Sequence, residues 1–286
     1  MARVGSSRRG FGTWWVVLSA VLAALLTGCG GGGGESSRVA APAAAATTGQ
    51  LTIGVRDAAD DFLNYTVDVT SLRLERANGD VVETVPLTTR IDFAALVDLT
   101  EFLTIATVPT GAYSRVVVGL DFTNAQIVAQ DANGAAVPVV AIGADGARLT
   151  TLAVAIELPG DGMVRIAAGV PAAVTLDFDL AASNVLDLTA TPPHVTVQPL
   201  LAVVPELEAD RAHRARGLLA SVDESEGNIT LKVRPFHLRR GEFGRLTVAT
   251  TTDTRWEIDG EAFAGAAGLA ASAALAVDTP VVAQGT

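Results

Sequence analysis

Cys29 carries the most legible chemistry in the chain. It is the only cysteine among 286 residues and stands in Leu26-Thr27-Gly28-Cys29, just ahead of the glycine run 30–34. A thiol is the strongest side-chain nucleophile near neutral pH, so this position suits covalent modification. With no second cysteine an internal disulfide is impossible. Carboxylates form the next set. Asp57, Asp60 and Asp61 cluster in one turn, and Asp177 and Asp179 fall on one face of a strand at period two. Oxygens so spaced suit calcium, which takes about six to eight of them. Turn capping and solubility are the plainer use of the same residues. Asp131-Ala132-Asn133-Gly134 begins like a calcium loop but lacks its later acids.

Other constellations are thinner. His194, His213 and His237 are far apart and form no pair at zinc spacing. The chain has no Gly-x-Ser-x-Gly elbow, no phosphate-cradling Gly-Lys-Ser/Thr loop and no dinucleotide glycine pattern opening a helix. Trp256 and Tyr113 are rings that stack on sugars in binding modules and pack in cores elsewhere. Arg234, Arg239, Arg240 and Arg245 surround Pro235, Phe236 and Phe243. That basic patch suits an anionic partner such as lipopolysaccharide, or else a solvated loop. A hydrolase would need two carboxylates brought from distant positions to about 5–9 Å.

What must position Cys29 is an export signal. Arg3, Arg8 and Arg9 open it, and Trp14 to Leu26 is an apolar run shorter than the roughly 20 residues of a spanning helix. The tetrapeptide resembles the lipobox of bacterial lipoproteins. That resemblance implies that residues 1–28 are a signal peptide cleaved before Cys29, that the thiol carries a diacylglycerol, and that the new amino group is acylated. One acyl chain anchors only marginally, whereas two or three hold durably. Ser7-Arg8-Arg9-Gly10-Phe11 resembles a twin-arginine export motif, while the strongly apolar run after it favours general secretion. The resemblance also implies the outer membrane, because Gly30 stands where an Asp would retain a lipoprotein at the inner one. Residues 29–48 then form a flexible Gly/Ala/Ser tether.

Charge limits the partners. The net charge is −11, and loss of Arg3, Arg8 and Arg9 with the signal makes it −14. Such a chain repels nucleic-acid phosphates and anionic headgroups, so membrane attachment is expected to be covalent, through Cys29. Hydrophobic residues make up 49% and charged residues 18%, enough for a sizeable core.

The remainder reads as all-β. Short β-branched runs, among them 51–55, 65–74, 115–122, 173–179 and 194–203, alternate with Asn78-Gly79, Asn133-Gly134, Asp145-Gly146 and Asp161-Gly162 turns. Residues 94–102 hold room for one helical turn. A β-sandwich is expected over 49–204, a connector over 205–215, and a small barrel-like module over 216–286. In the connector acids lead and bases follow, as a helix dipole prefers. Gly49 to Asp57-Ala58-Ala59, Ile91-Asp92-Phe93, Val108-Pro109-Thr110-Gly111-Ala112-Tyr113, Leu176-Asp177-Phe178-Asp179 and Val197-Gln198-Pro199 resemble the bacterial domain-of-unknown-function family 4382. Ala59 stands where that family usually has a proline. Gly217 to Asp223, Glu226-Gly227-Asn228 and Thr254 to Gly260 resemble domain-of-unknown-function family 5666, a small β-barrel-like module. The sequence stops in what reads as the interior of such a barrel, its closing strands missing. Together these readings lead to an expected non-enzymatic, lipid-anchored envelope protein without a cofactor, its partner an envelope protein or a glycan. A carbohydrate- or calcium-binding module and a hydrolase are the alternatives.

Overall fold

Alternating apolar residues set the architecture of the computed structural model. It describes residues 47–57, 62–198, 201–204, 207, 210–234, 241 and 243–286, with the backbone of Ala2–Gly5. Cys29, Asp60, Asp61, Arg239, Arg240 and His237 lie outside these residues. The strands in chain order are β1 (Ala2–Gly5), β2 (Thr48–Asp57), β3 (Phe62–Glu75), β4 (Val81–Glu83), β5 (Thr89–Asp92), β6 (Leu99–Pro109), β7 (Gly111–Tyr113) and β8 (Arg115–Gln130). Then come β9 (Ala136–Ile142), β10 (Thr151–Glu157), β11 (Val164–Ile166), β12 (Ala172–Phe178), β13 (Asn184–Asp187), β14 (His194–Val197) and β15 (Leu201–Val204). The last are β16 (Ala212–Asp223), β17 (Asn228–Val233), β18 (Arg245–Ala249), β19 (Arg255–Ile258), β20 (Glu261–Ala264) and β21 (Pro280–Gly285). The described residues include two α-helices, α1 (Leu180–Ser183) and α2 (Gly265–Ala273). Phe93–Leu96 forms the expected helical turn.

One sheet runs β15-β12-β2-β6-β16-β21-β1-β19-β20, with β17 and β18 continuing from β16. A second runs β13-β14-β9-β8-β3-β4, joined by β10 and β5. In β2 the inward positions Leu51, Ile53 and Val55 are fully buried at period two. They share one core with Val67, Leu72 and Leu74 of β3, Val116 and Val118 of β8, and Val174 and Leu176 of β12. Each such side chain contributes about 1.5–3 kcal/mol through apolar burial. This is the sandwich. The all-β expectation holds, and among the described residues no barrel closes.

A second, smaller core gathers Phe102, Ala215, Leu219, Ile229, Leu231, Trp256, Ile258, Leu269 and Val281. It lies beyond the sandwich but on the same sheet. The connector ends at Ala212, where β16 begins, so residues 212–216 are strand rather than helix. Pairing with β6 on one side and β21 on the other outweighs their local helix compatibility. The stretch 194–203 is two strands, not one. The alanine-rich α2 buries Gly265, Gly268, Leu269 and Ser272, a single helical face at spacings of three and four. Its Gly268 presses on Trp256, where an added Cβ would lie 2.0 Å from the indole Cδ1.

The Pro-x-Gly-x-Tyr turn is a lock. Tyr113 is fully buried, and its hydroxyl donates to the Pro109 carbonyl at 2.8 Å. Arg76 reaches the same turn, donating to Thr110 O at 2.7 Å and to the Tyr113 hydroxyl at 3.2 Å, with its guanidinium 4.9 Å from the ring centre.

Tyr113→Phe keeps the ring and removes both hydroxyl contacts. It is expected to cost about 1–2 kcal/mol in urea unfolding, and Tyr113→Ala about 3–5 kcal/mol. Gly268→Ala tests α2 by sign. Helix propensity alone would stabilise by about 1 kcal/mol, whereas the clash with Trp256 is expected to destabilise by about 1–3 kcal/mol. Tryptophan fluorescence of a chain lacking residues 1–28 reads this directly, because Trp14 and Trp15 are then gone.

Candidate functional site

The sandwich and the smaller core meet on β6. Six successive residues, Thr100 to Ile105, are buried, as expected of a strand covered on both faces. Phe102 belongs to the smaller core, and Leu103 and Ile105 belong to the sandwich core. β16 runs parallel to β6 with Glu101 opposite Arg214. Farther along, Ile105 N donates to the Phe243 carbonyl at 2.7 Å, and Thr104 Oγ1 donates to the same oxygen at 3.2 Å. Phe243, one of the two phenylalanines of the expected basic patch, is itself buried in the sandwich core and serves packing, while Phe236 lies outside the described residues. Gly244 permits the approach: its φ is +88° and an added Cβ would lie 2.0 Å from Ile105 O.

Charge is buried at this seam. Glu101 is 3% exposed, is hydrogen-bonded by Arg214 Nε, and lies 3.4 Å from Arg216 Nε. Burial pushes its carboxyl above the ordinary 4.5, and the two arginines pull back only in part. Arg211 fastens the edge of the seam. Its Nη2 donates to the carbonyls of Leu96 at 3.0 Å, Asp57 at 3.2 Å and Val97. These residues were hidden because Arg211, Arg214 and Arg216 sit in a run that reads as a solvated connector. The one signal was Glu101, a lone acid inside an apolar strand.

On the far side of this wall is an apolar cavity of about 300 Å³. Phe102, Leu207, His213, Ala215, Leu246 and Val248 line it, among others. The His213 imidazole stacks on Phe102 with ring centres 5.5 Å apart. Such a lining can bind an apolar group and has one titratable ring to orient it.

The carboxylates singled out from sequence come near one another but serve different partners. β2 and β12 pair in parallel, with Asp57 opposite Phe178. Asp57 is buried and accepts from Leu180 N at 3.1 Å. Asp177 pairs with Arg56 at 2.7 Å. Asp179 caps α1, accepting from Ala182 N at 2.9 Å. None of the three lines the cavity. Among the described residues no three His, Cys, Asp or Glu side chains gather at metal-ligating distance. Tyr113 and Trp256 are buried, so neither presents a ring face to a sugar. His194 Nδ1 lies 3.4 Å from the Pro192 carbonyl, apart from His213.

Glu101→Ala removes the buried carboxylate that Arg214 and Arg216 share at the seam and is expected to cost about 3–5 kcal/mol. The pH dependence has a definite sign. Because the folded carboxyl binds its proton more tightly than the unfolded one, its contribution is complete below pH 4.5 and is lost as pH rises through the raised value. Glu101→Gln should therefore flatten that part of the stability profile. An unchanged slope would mean that Glu101 titrates normally.

Comparison with known proteins places part of this structure. No curated protein and no solved structure matches the chain. A family described as a domain of unknown function (DUF4382) matches residues 48–192, from the first residue of β2 to just before β14. The matched span supplies β6, the Tyr113 lock and most of the sandwich, and covers half of the sequence. The chain belongs to the DUF4382 family.

Proposed function

We propose that this is a non-enzymatic lipoprotein of the bacterial outer membrane, held by lipid on Cys29 and presenting its β modules for a binding or structural role in the envelope. The observation that carries this reading is Leu26-Thr27-Gly28-Cys29 at the end of a basic-then-apolar segment, 19 residues before β2 begins. A tether of about 20 flexible residues spans roughly 25 Å, enough to hold the modules clear of the headgroups. An acidic chain has no electrostatic hold on an anionic surface, so a covalent lipid is the physically consistent anchor. Among the described residues no helix is long and apolar enough to cross a membrane. The second module is read as a member of domain-of-unknown-function family 5666, in line with the β16-β17-β18 meander that opens it.

The binding role fits the seam. An apolar cavity beside two rings suits a lipid-like or other apolar group better than any chemistry by carboxylates. Cleavage before Cys29 also removes β1, which lies between β19 and β21. Those two strands then become edges in the mature protein, open to strand addition by an envelope partner.

Cys29→Ser is expected to abolish labelling by a radioactive fatty acid and to leave the signal uncleaved before residue 29, so that the chain runs larger than the wild type by the mass of residues 1–28. A wild-type chain that takes up no fatty-acid label, or a Cys29→Ser chain that is still labelled and cut before residue 29, would sink the proposal.

A further inference from the structure

We infer that the slot which β1 fills between β19 and β21 becomes, in the mature protein, a docking site for the tether segment 37–40 of a second copy of this chain. The inference rests on the removal of residues 1–28 proposed above. Ala2–Gly5 shows how a strand sits there. It runs parallel to β21, with Ala2 opposite Val281 and Gly5 opposite Gln284, and antiparallel to β19, with Arg3 opposite Glu257 and Val4 opposite Trp256. Once it leaves, both edges present backbone groups that no longer have a ladder. The slot is held from both sides. Gly268 of α2 presses on Trp256 of β19, α2 also packs on β16, and β16 pairs with β21. β19 and β21 therefore stand about 10 Å apart, two strand spacings, which one extended segment fills.

The sequence supplies such a segment. Arg-Val occurs three times, at 3–4, 38–39 and 115–116. Arg115 and Val116 are built into β8. The remaining copy is Ser37-Arg38-Val39-Ala40, which matches Ala2-Arg3-Val4-Gly5 with small residues at both ends. In the same register position 39 is flanked by Trp256 and Ala283, both buried, and position 38 by the exposed Glu257. An apolar residue thus falls beside the smaller core and a basic one beside an acid. Reach selects a neighbour's tether over the chain's own. Register runs from Gly5 through Gln284, Arg214 and Glu101 to Val55, so Ala40 in that place stands level with Val55, four strands from β2. Thr48 lies seven residues back along β2. That puts Ala40 about 30 Å from Thr48 across a flat sheet. The link from residue 40 to 48 spans at most about 26–29 Å fully extended, and about 15 Å on average as coil. Docking within one copy would draw the link taut, whereas exchange between two copies leaves it slack and closes a two-fold dimer.

The test uses residues 29–286 with Cys29→Ser, made without the signal, so that lipidation and this inference can fail separately. Sedimentation velocity should show a concentration-dependent dimer. Val39→Pro, outside the described residues, removes a strand amide without touching the fold, and should raise the dimer dissociation constant at least about tenfold. Synthetic peptides of residues 34–41 and of residues 1–7 should each dissociate the dimer and shift the fluorescence of Trp256, the only tryptophan of residues 29–286. The 34–41 peptide with proline at position 39 should do neither. Circular dichroism checks that the chain folds. A monomeric chain, with its slot closed or filled by its own tether, overturns the inference. So does a dimer untouched by Val39→Pro and by the peptides, or a chain that cannot fold without residues 2–5.

Discussion

The structure depends on β6 being buried on both faces. Leu103 and Ile105 complete the sandwich while Phe102 belongs to the smaller core, so one strand is a wall of each. Its outer edge is covered by β16 and then by the Phe243 carbonyl. An uncovered β6 would present a row of unpaired backbone groups beside an apolar face, which is the geometry that templates aggregation. The second module is therefore more than an appendage of the sandwich. It supplies the hydrogen bonds and part of the packing that the DUF4382 sheet needs on that side.

Glu101 shows what this sharing costs and why it persists. A carboxylate in a strand with two dry faces is unfavourable unless it is paired, and both its partners come from β16. The pair stabilises little by itself once desolvation is counted. Its consequence is register. Sliding β16 by one residue along β6 would take Arg214 and Arg216 away from Glu101 and reverse every side chain of β16 between the two faces. Arg211 adds a second constraint of the same kind, since its three carbonyl acceptors come from the end of β2 and from the turn after β5. Charge at the seam specifies one alignment, and the apolar residues around it supply the energy.

Much of the fold was legible because its signals are local. Alternation in 51–55 and 65–74, the turns at Asn78-Gly79, Asn133-Gly134 and Asp145-Gly146, and Pro109 to Tyr113 each report on a few neighbouring residues and appear where expected. Asp161-Gly162 does not form a hairpin: it lies in a short 3-10 turn, Gly160–Gly162, between β10 and β11, which pair with β8 and β7 and not with each other. The seam was not legible, because its members are separated by more than a hundred positions and are individually ordinary. Arg214 and Glu101 are an example, 113 residues apart. The connector misled for a definable reason. Residues 212–216 carry a helix-compatible charge order, but they lie between two strands that each need a partner, and long-range pairing outranks a local preference worth a few tenths of a kcal/mol per residue. α2 escaped notice because alanine and glycine give little periodic contrast, and its buried face is defined by Trp256 rather than by its own apolar residues.

The candidate sites follow the same logic, which is why a search for catalytic signatures passes over them. The apolar cavity is made of Phe102 from β6, His213 and Ala215 from β16, and Leu246 and Val248 from β18. No spacing rule joins these residues, yet the sheet brings them into one lining. The carboxylates that did draw attention in the sequence turn out to be occupied: Asp57 by a backbone amide, Asp177 by Arg56, Asp179 by a helix end. Acids committed to structure are poor general acids or metal ligands, since recruiting them would release the contacts they make. A ligand in the cavity, in contrast, would touch Phe102 and thereby the wall on which both cores rest. Occupancy there would bear on the stability of the whole β unit, because a ligand that binds only the folded chain stabilises it by mass action.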